Sequence, residues 1–163
     1  MKKVLVFTGL LLAAALTGAF AQSTSSVGSW KFDAAQSDMG TQPKPKSIHL
    51  VITKDSPAML TWHLTEAEAD GKVIRESWSG PEDGTMQTLK NSAGNGQASF
   101  SRNGDDIVIE EKTSDGATME SRVTTSDGGN TMTEHITGTD KDGKPITNTI
   151  VWHKVTAKKK AAS

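Results

Sequence analysis

From residue 28 onward, apolar and polar residues alternate with a period of two, and the alternation restarts mostly every 8–13 residues. In Ile48-His49-Leu50-Val51-Ile52 and Leu60-Thr61-Trp62-His63-Leu64, the first, third and fifth residues are apolar and define one face. That face suits a core and the opposite one suits water. Ten such runs predict strands at about 28–33, 47–54, 58–66, 72–79, 85–90, 96–102, 105–113, 117–126, 130–138 and 145–155. Asp-Gly and Asn-Gly pairs punctuate them: Asp70-Gly71, Asp83-Gly84, Asn95-Gly96, Asn103-Gly104, Asp115-Gly116, Asp127-Gly128 and Asp142-Gly143. Such pairs tolerate the positive φ that tight hairpin turns demand. Ala34 to Lys46 is the one long early loop, and no helical periodicity stands out beyond the first 21 residues.

Loop length decides which residues meet across each hairpin, because side chains alternate between faces. Three-residue loops at Ala69-Asp70-Gly71 and Ser114-Asp115-Gly116 bring Trp62 to Trp78, Ile107 to Val123 and Ile109 to Ser121. A loop of Asp55-Ser56-Pro57 sets Leu50 against Trp62. Two-residue loops at Asn103-Gly104 and Asp127-Gly128 pair Phe100 with Ile107 and Ser121 with Glu134. Across the last loop Ile136 meets Ile146 and Glu134 meets Asn148. One face of the whole meander is then apolar, and a long sheet with one apolar face is most stable when it closes on itself. The prediction is all-β: a single antiparallel up-and-down barrel of eight to ten strands, with Trp30 plugging one end.

The first 21 residues stand outside that pattern. Lys2 and Lys3, the apolar run Val4 to Leu16 and Ala19-Phe20-Ala21 compose a signal peptide with its cleavage site. The apolar run is shorter than the roughly 20 residues that span a bilayer, so the mature chain has no integral membrane segment. Residues 22–26 read as an unstructured lead, 27–156 as the barrel and 157–163 as a basic unstructured tail. The expected location is extracytoplasmic, periplasmic or secreted.

Without Lys2 and Lys3, 16 basic residues face 19 acidic ones, which argues against nucleic acid as a partner. No Cys is present, so there are no disulfides, no thiol chemistry and no Cys-bound metal. Apolar residues make up 34% of the chain, a share that suits one thin lining better than a thick layered core. The Thr- and Ser-rich outer face offers no large apolar patch, so a monomer is expected.

The opener Gly28-Ser29-Trp30 resembles that of the lipocalin and fatty-acid-binding superfamily. More specifically, residues 28–33, 43–47 and 137–145 are similar to motifs of small secreted bacterial lipocalin-like proteins. The resemblance implies a barrel whose floor is closed by the Trp, and an exported location, but no particular ligand. Animal lipocalins lay a late-strand Arg on that Trp. Here no Arg follows Arg122, so the lock is absent or supplied by Lys154.

Glu76, Ser121, Glu134 and Asn148 are polar positions in the phase of the inner face. Buried carboxyls are costly without a partner. They mark either a wet barrel mouth or a polar anchor for a ligand whose apolar body rests on Trp62, Trp78 and Trp152. The last three of these polar positions form an expected row across neighbouring strands, Ser121–Glu134–Asn148, with no cation beside it. The partner so implied is a small, mostly apolar, neutral or cationic molecule. The alternative is a non-binding envelope or interaction module with a side-chain-filled barrel. All four His fall on the outer face; His49 and His63, as expected cross-strand partners, make at most a weak surface metal site. Asp140-Lys141-Asp142-Gly143 starts like a calcium loop but lacks its closing Glu, and reads as a hairpin turn. No nucleophile elbow or phosphate-binding Gly loop occurs, so neither an enzyme nor a cofactor is expected.

Overall fold

The computed structural model describes residues 25–156. The expected signal peptide and the tail from residue 157 lie outside the described residues.

Ten strands follow in chain order: β1 Gly28–Phe32, β2 Ser47–Ser56, β3 Met59–Ala67, β4 Val73–Gly80, β5 Gln87–Asn91, β6 Gly96–Asn103, β7 Asp106–Lys112, β8 Thr118–Ser126, β9 Thr131–Thr139 and β10 Pro145–Lys154. Each pairs antiparallel with its neighbours, and β1 pairs with β10 to close one up-and-down barrel. Closure removes the free edges that a ten-strand meander would otherwise expose. A single 3-10 turn, Asp127–Gly129, is the only helical piece among the described residues. No helix there is long and apolar enough to cross a membrane.

The inward residues are those the alternation marks. Ile48, Leu60, Trp78, Phe100, Met132 and Trp152 are all buried, with Leu50, Leu64, Ile109 and Met119 partly so. The cross-strand partners differ at several hairpins. Trp62 meets Trp78, and Ile107 meets Val123, as expected. Elsewhere the register slips by two: Leu50 meets Leu64, Phe100 meets Ile109, Ser121 meets Ile136, and Ile136 meets Asn148. The turns explain the slips. Ser56 pairs with Met59 after an irregularity between Ile52 and Lys54, and Asn103 pairs with Asp106. Between Ser126 and Thr131 the loop is longer than two residues and contains the 3-10 turn. A slip of two keeps every side chain on its face, so the core is unchanged while the rows within it move.

β1 is too short to cover β10 from end to end, and pairs only Trp30–Phe32 with Trp152–Lys154. The Ala34–Lys46 loop covers the rest. Asp38 and Thr149 exchange backbone hydrogen bonds (2.8 and 2.7 Å), and the Ser37 hydroxyl accepts from the Val151 amide at 2.9 Å.

Trp30 is fully buried at the end where β1 begins, and its indole donates to the Ser26 carbonyl at 2.8 Å. The Lys154 ammonium lies 5.2 Å from the ring centroid and places a cation over the Trp30 ring. Gly28 makes room for it: at φ +146°, a Cβ there would sit 2.7 Å from Lys154 Cε. Arg102 closes the same end. Its guanidinium bonds Asp55 and spans Glu82, with Nη2 3.1 Å from Oε1. Asp55 also accepts from the Ser26 amide and hydroxyl at 2.6 and 2.8 Å. Ser26, expected in the unstructured lead, is therefore buried and tied down by these bonds.

Candidate functional site

Side chains fill much of the barrel. Trp78 packs on Phe100 with centroids 4.3 Å apart and donates its indole N–H to the Ala98 carbonyl at 3.1 Å. A cavity of about 130 Å³ remains. Its apolar wall includes Leu50, Ile52, Trp62, Phe100, Ile109 and Trp152. Its polar groups are Glu76, Glu111, Ser121 and Glu134, and no basic side chain lines it.

Each carboxyl arrives on a different strand. Glu76 on β4 lies between Leu64 and Asn91, and the Asn91 amide donates to it at 2.7 Å. Glu111 on β7 lies between Ala98 and Met119. Glu134 on β9 lies between Val123 and Ile150. Burial raises all three, because a carboxylate loses hydration that nothing cationic replaces. Glu76 rises to about 6; Asn91 opposes the rise, while Glu66 and Glu134 add to it. Glu111 rises to about 8, through burial and then the charges of Glu76 and Glu134. Glu134 rises through burial, against hydrogen bonding from Ser121 and Trp152. Glu66, inward on β3 between Ile48 and Ile74, is raised by burial and by Glu68.

Five of the residues expected at the site meet at the cavity: Glu76, Ser121, Glu134, Trp62 and Trp152. The expected row does not form, because the two-residue slips place Ile136 beside both Ser121 and Asn148. Asn148 is buried away from the cavity wall, 2.7 Å from the Gln42 side chain under the Ala34–Lys46 loop. Trp78 backs Phe100 rather than lining the cavity. Glu111 was missed, although it continues the phase of Ile107 and Ile109; residue type favoured the outer face, and phase was the better guide.

On the outside, His49 and His63 are exposed but face Thr65 and Val51, not each other. No group of three metal-ligating side chains occurs among the described residues. Asp140 to Gly143 forms a hairpin turn, in which the Asp140 carboxylate accepts from the Asp142 and Lys144 amides at 2.8 Å each.

The class this geometry defines is a ten-strand antiparallel barrel with one closed end and a small acid-lined cavity. Two solved structures are similar to this chain. Secretory abundant heat soluble protein 4 from Ramazzottius varieornatus is similar at a TM-score of 0.55 and 13% identity, over 82% of this chain and 96% of that one. Rv2717c from M. tuberculosis is similar at a TM-score of 0.48 and 19% identity, over 83% of this chain and 94% of that one. At 13% identity the likeness to the first is one of fold alone. No family model and no curated protein matches the sequence.

Proposed function

We propose that this protein is an exported lipocalin-like barrel that binds a small neutral or cationic molecule with an apolar body. One observation carries the reading: three carboxyl groups point into an apolar cavity that no basic side chain lines. A carboxyl held there is destabilised in its charged form, and a bound cation or hydrogen-bond donor supplies the missing partner. An anion gains nothing there and adds repulsion. The volume limits the guest. An apolar cavity of roughly 150 Å³ holds one benzene, so about 130 Å³ suits a single ring or a short branched chain. The signal-peptide pattern of residues 1–21 supports export, with Gln22 as the first residue of the exported chain.

The small volume also favours a second reading, a filled barrel that binds nothing and acts through its surface. Trp62 and Trp152 line the cavity and report on it. Their fluorescence is titrated with benzylamine, benzyl alcohol and benzoate, on wild type and Glu134→Gln. Binding of the amine and the alcohol but not of benzoate is expected, with the amine weakened by the substitution. Binding of benzoate alone, or insensitivity to Glu134→Gln, overturns the acid-site reading. No response to any of the three supports the filled module.

A further inference from the structure

The outer wall is charged unevenly. The outward positions of β1 to β5 carry Lys31, His49, Lys54, His63, Arg75 and Lys90, all exposed, and not one carboxylate. By contrast, β7 and β8 turn Asp106, Glu110 and Glu120 outward beside Lys112 and Arg122. Neither Arg75 nor Lys90 forms an ion pair among the described residues. On most protein surfaces the two signs are interspersed; a one-sided field attracts the opposite charge.

A groove of about 470 Å³ lies within this basic wall, over β3, β4 and β5. The wall is thinly stitched there, since β4 and β5 pair only Glu76 with Asn91 and Ser77 with Lys90. Ser77 stands opposite His63 on one side and Lys90 on the other, while Arg75 stands between Thr65 and Ser92. The hydroxyl residues Thr65, Ser77 and Thr88 line the groove together with His63, Arg75 and Lys90. Glu76 also borders the groove, with its carboxylate bonded by Asn91. We propose that this groove binds a phosphate or sulfate group. The Arg75 guanidinium presents a planar fork of donors, which matches two oxygens of such a group. Lys90 supplies a second permanent charge, His63 a third when protonated, and the hydroxyls of Thr65, Ser77 and Thr88 can donate to remaining oxygens. The barrel's Trp and Phe rings are buried, so the face has no platform on which nucleic-acid bases stack.

The group has two sources, a free ion or small ester and a repeating sulfated polysaccharide. The register separates them. Lys31, His49, Thr65 and Arg75 form one continuous outward row. His49 lies two strands from Arg75, roughly 10 Å at the usual strand spacing. A repeating polyanion reaches both, and a single group reaches only the groove.

The test is an amide NMR titration of the ¹⁵N-labelled protein with inorganic phosphate, and separately with a sulfated heparin-type hexasaccharide. Phosphate is expected to shift the amides of Ser77, Lys90 and Ser92. Arg75→Gln should weaken that response about ten-fold, the size of one charge-assisted hydrogen bond. If the hexasaccharide also shifts Lys31 and His49, and Lys31→Gln weakens it, the source is a polymer. If it shifts only the groove, the source is a single group. Arg75 and Lys90 are exposed, so the double variant Arg75→Gln/Lys90→Gln should keep the fold, checked by near-UV circular dichroism. Absence of groove shifts in both arms, or shifts that survive the double variant, overturns the proposal.

Discussion

The barrel buries carboxylates at two places and treats them in opposite ways. At the closed end, Glu82 and Asp55 have side chains 0% and 5% exposed, and both lie against the Arg102 guanidinium. Burial alone would lower Arg102, but hydrogen bonds and charge from Glu82 and Asp55 hold it above its usual value. In the cavity, Glu76, Glu111 and Glu134 lie among apolar side chains with no basic group in the lining. The same side-chain chemistry therefore does two jobs. Paired, it ties the N-terminal segment, the β2–β3 hairpin and the β4–β5 loop to β6. Unpaired, it leaves the interior with a standing demand for a proton or a cation, and this supports a binding role for the cavity.

Breaking the paired end should have the largest effect. Arg102→Leu leaves two buried carboxylates without a cation, and Asp55 with only its Ser26 hydrogen bonds, a loss of about 3–5 kcal/mol for such a deletion. Urea unfolding should show a large fall in midpoint; a change below about 1 kcal/mol would mean that the cluster is open to water.

The unpaired end should respond to pH in a particular direction. Glu76 and Glu111 bind their protons more tightly folded, at about 6 and about 8, than at the ordinary 4.5. Their contribution is fully present below pH 4.5 and is lost as pH rises through the folded values. The ligand-free barrel should therefore lose stability between pH 5 and 9, by on the order of a few kcal/mol. Glu111→Gln removes the group with the higher of those two values, and should stabilise the protein at pH 9 by roughly 2 kcal/mol while flattening the profile. Stability that rises with pH over this range would contradict the unpaired state of the cavity carboxyls.

The smallest effect concerns Lys154. Replacing it by Gln removes the cation over Trp30 and should lose about 0.5–1 kcal/mol. A thermal melt that does not move would assign closure of that end to Arg102 and the Trp30 indole hydrogen bond alone.

The two regions were unequally legible in the sequence. Alternation marked the strands and the inward face closely, because inward and outward are a property of phase, which survives a two-residue error. Asp-Gly and Asn-Gly pairs located turns without stating their length. Asn103-Gly104 suggested a loop that in the structure is Gly104-Asp105. Cross-strand partners depend on that length, so the expected Ser121–Glu134–Asn148 row was lost while all three stayed inward. Glu111 was readable from phase and obscured by residue type. The Arg102 cluster was not readable at all, since Ser26, Asp55, Glu82 and Arg102 meet only through barrel closure and two loops.

The contact between Lys154 and the first strand has a topological consequence. The Lys154 ammonium reaches the Ser25 carbonyl at 3.2 Å, and the Val155 amide donates to the Ser29 carbonyl at 2.8 Å. Beginning and end of the barrel meet at one rim, so the chain is a ring cut at a single point. The described chain therefore enters and leaves the barrel at the Trp30 rim, away from the hairpins at the opposite rim.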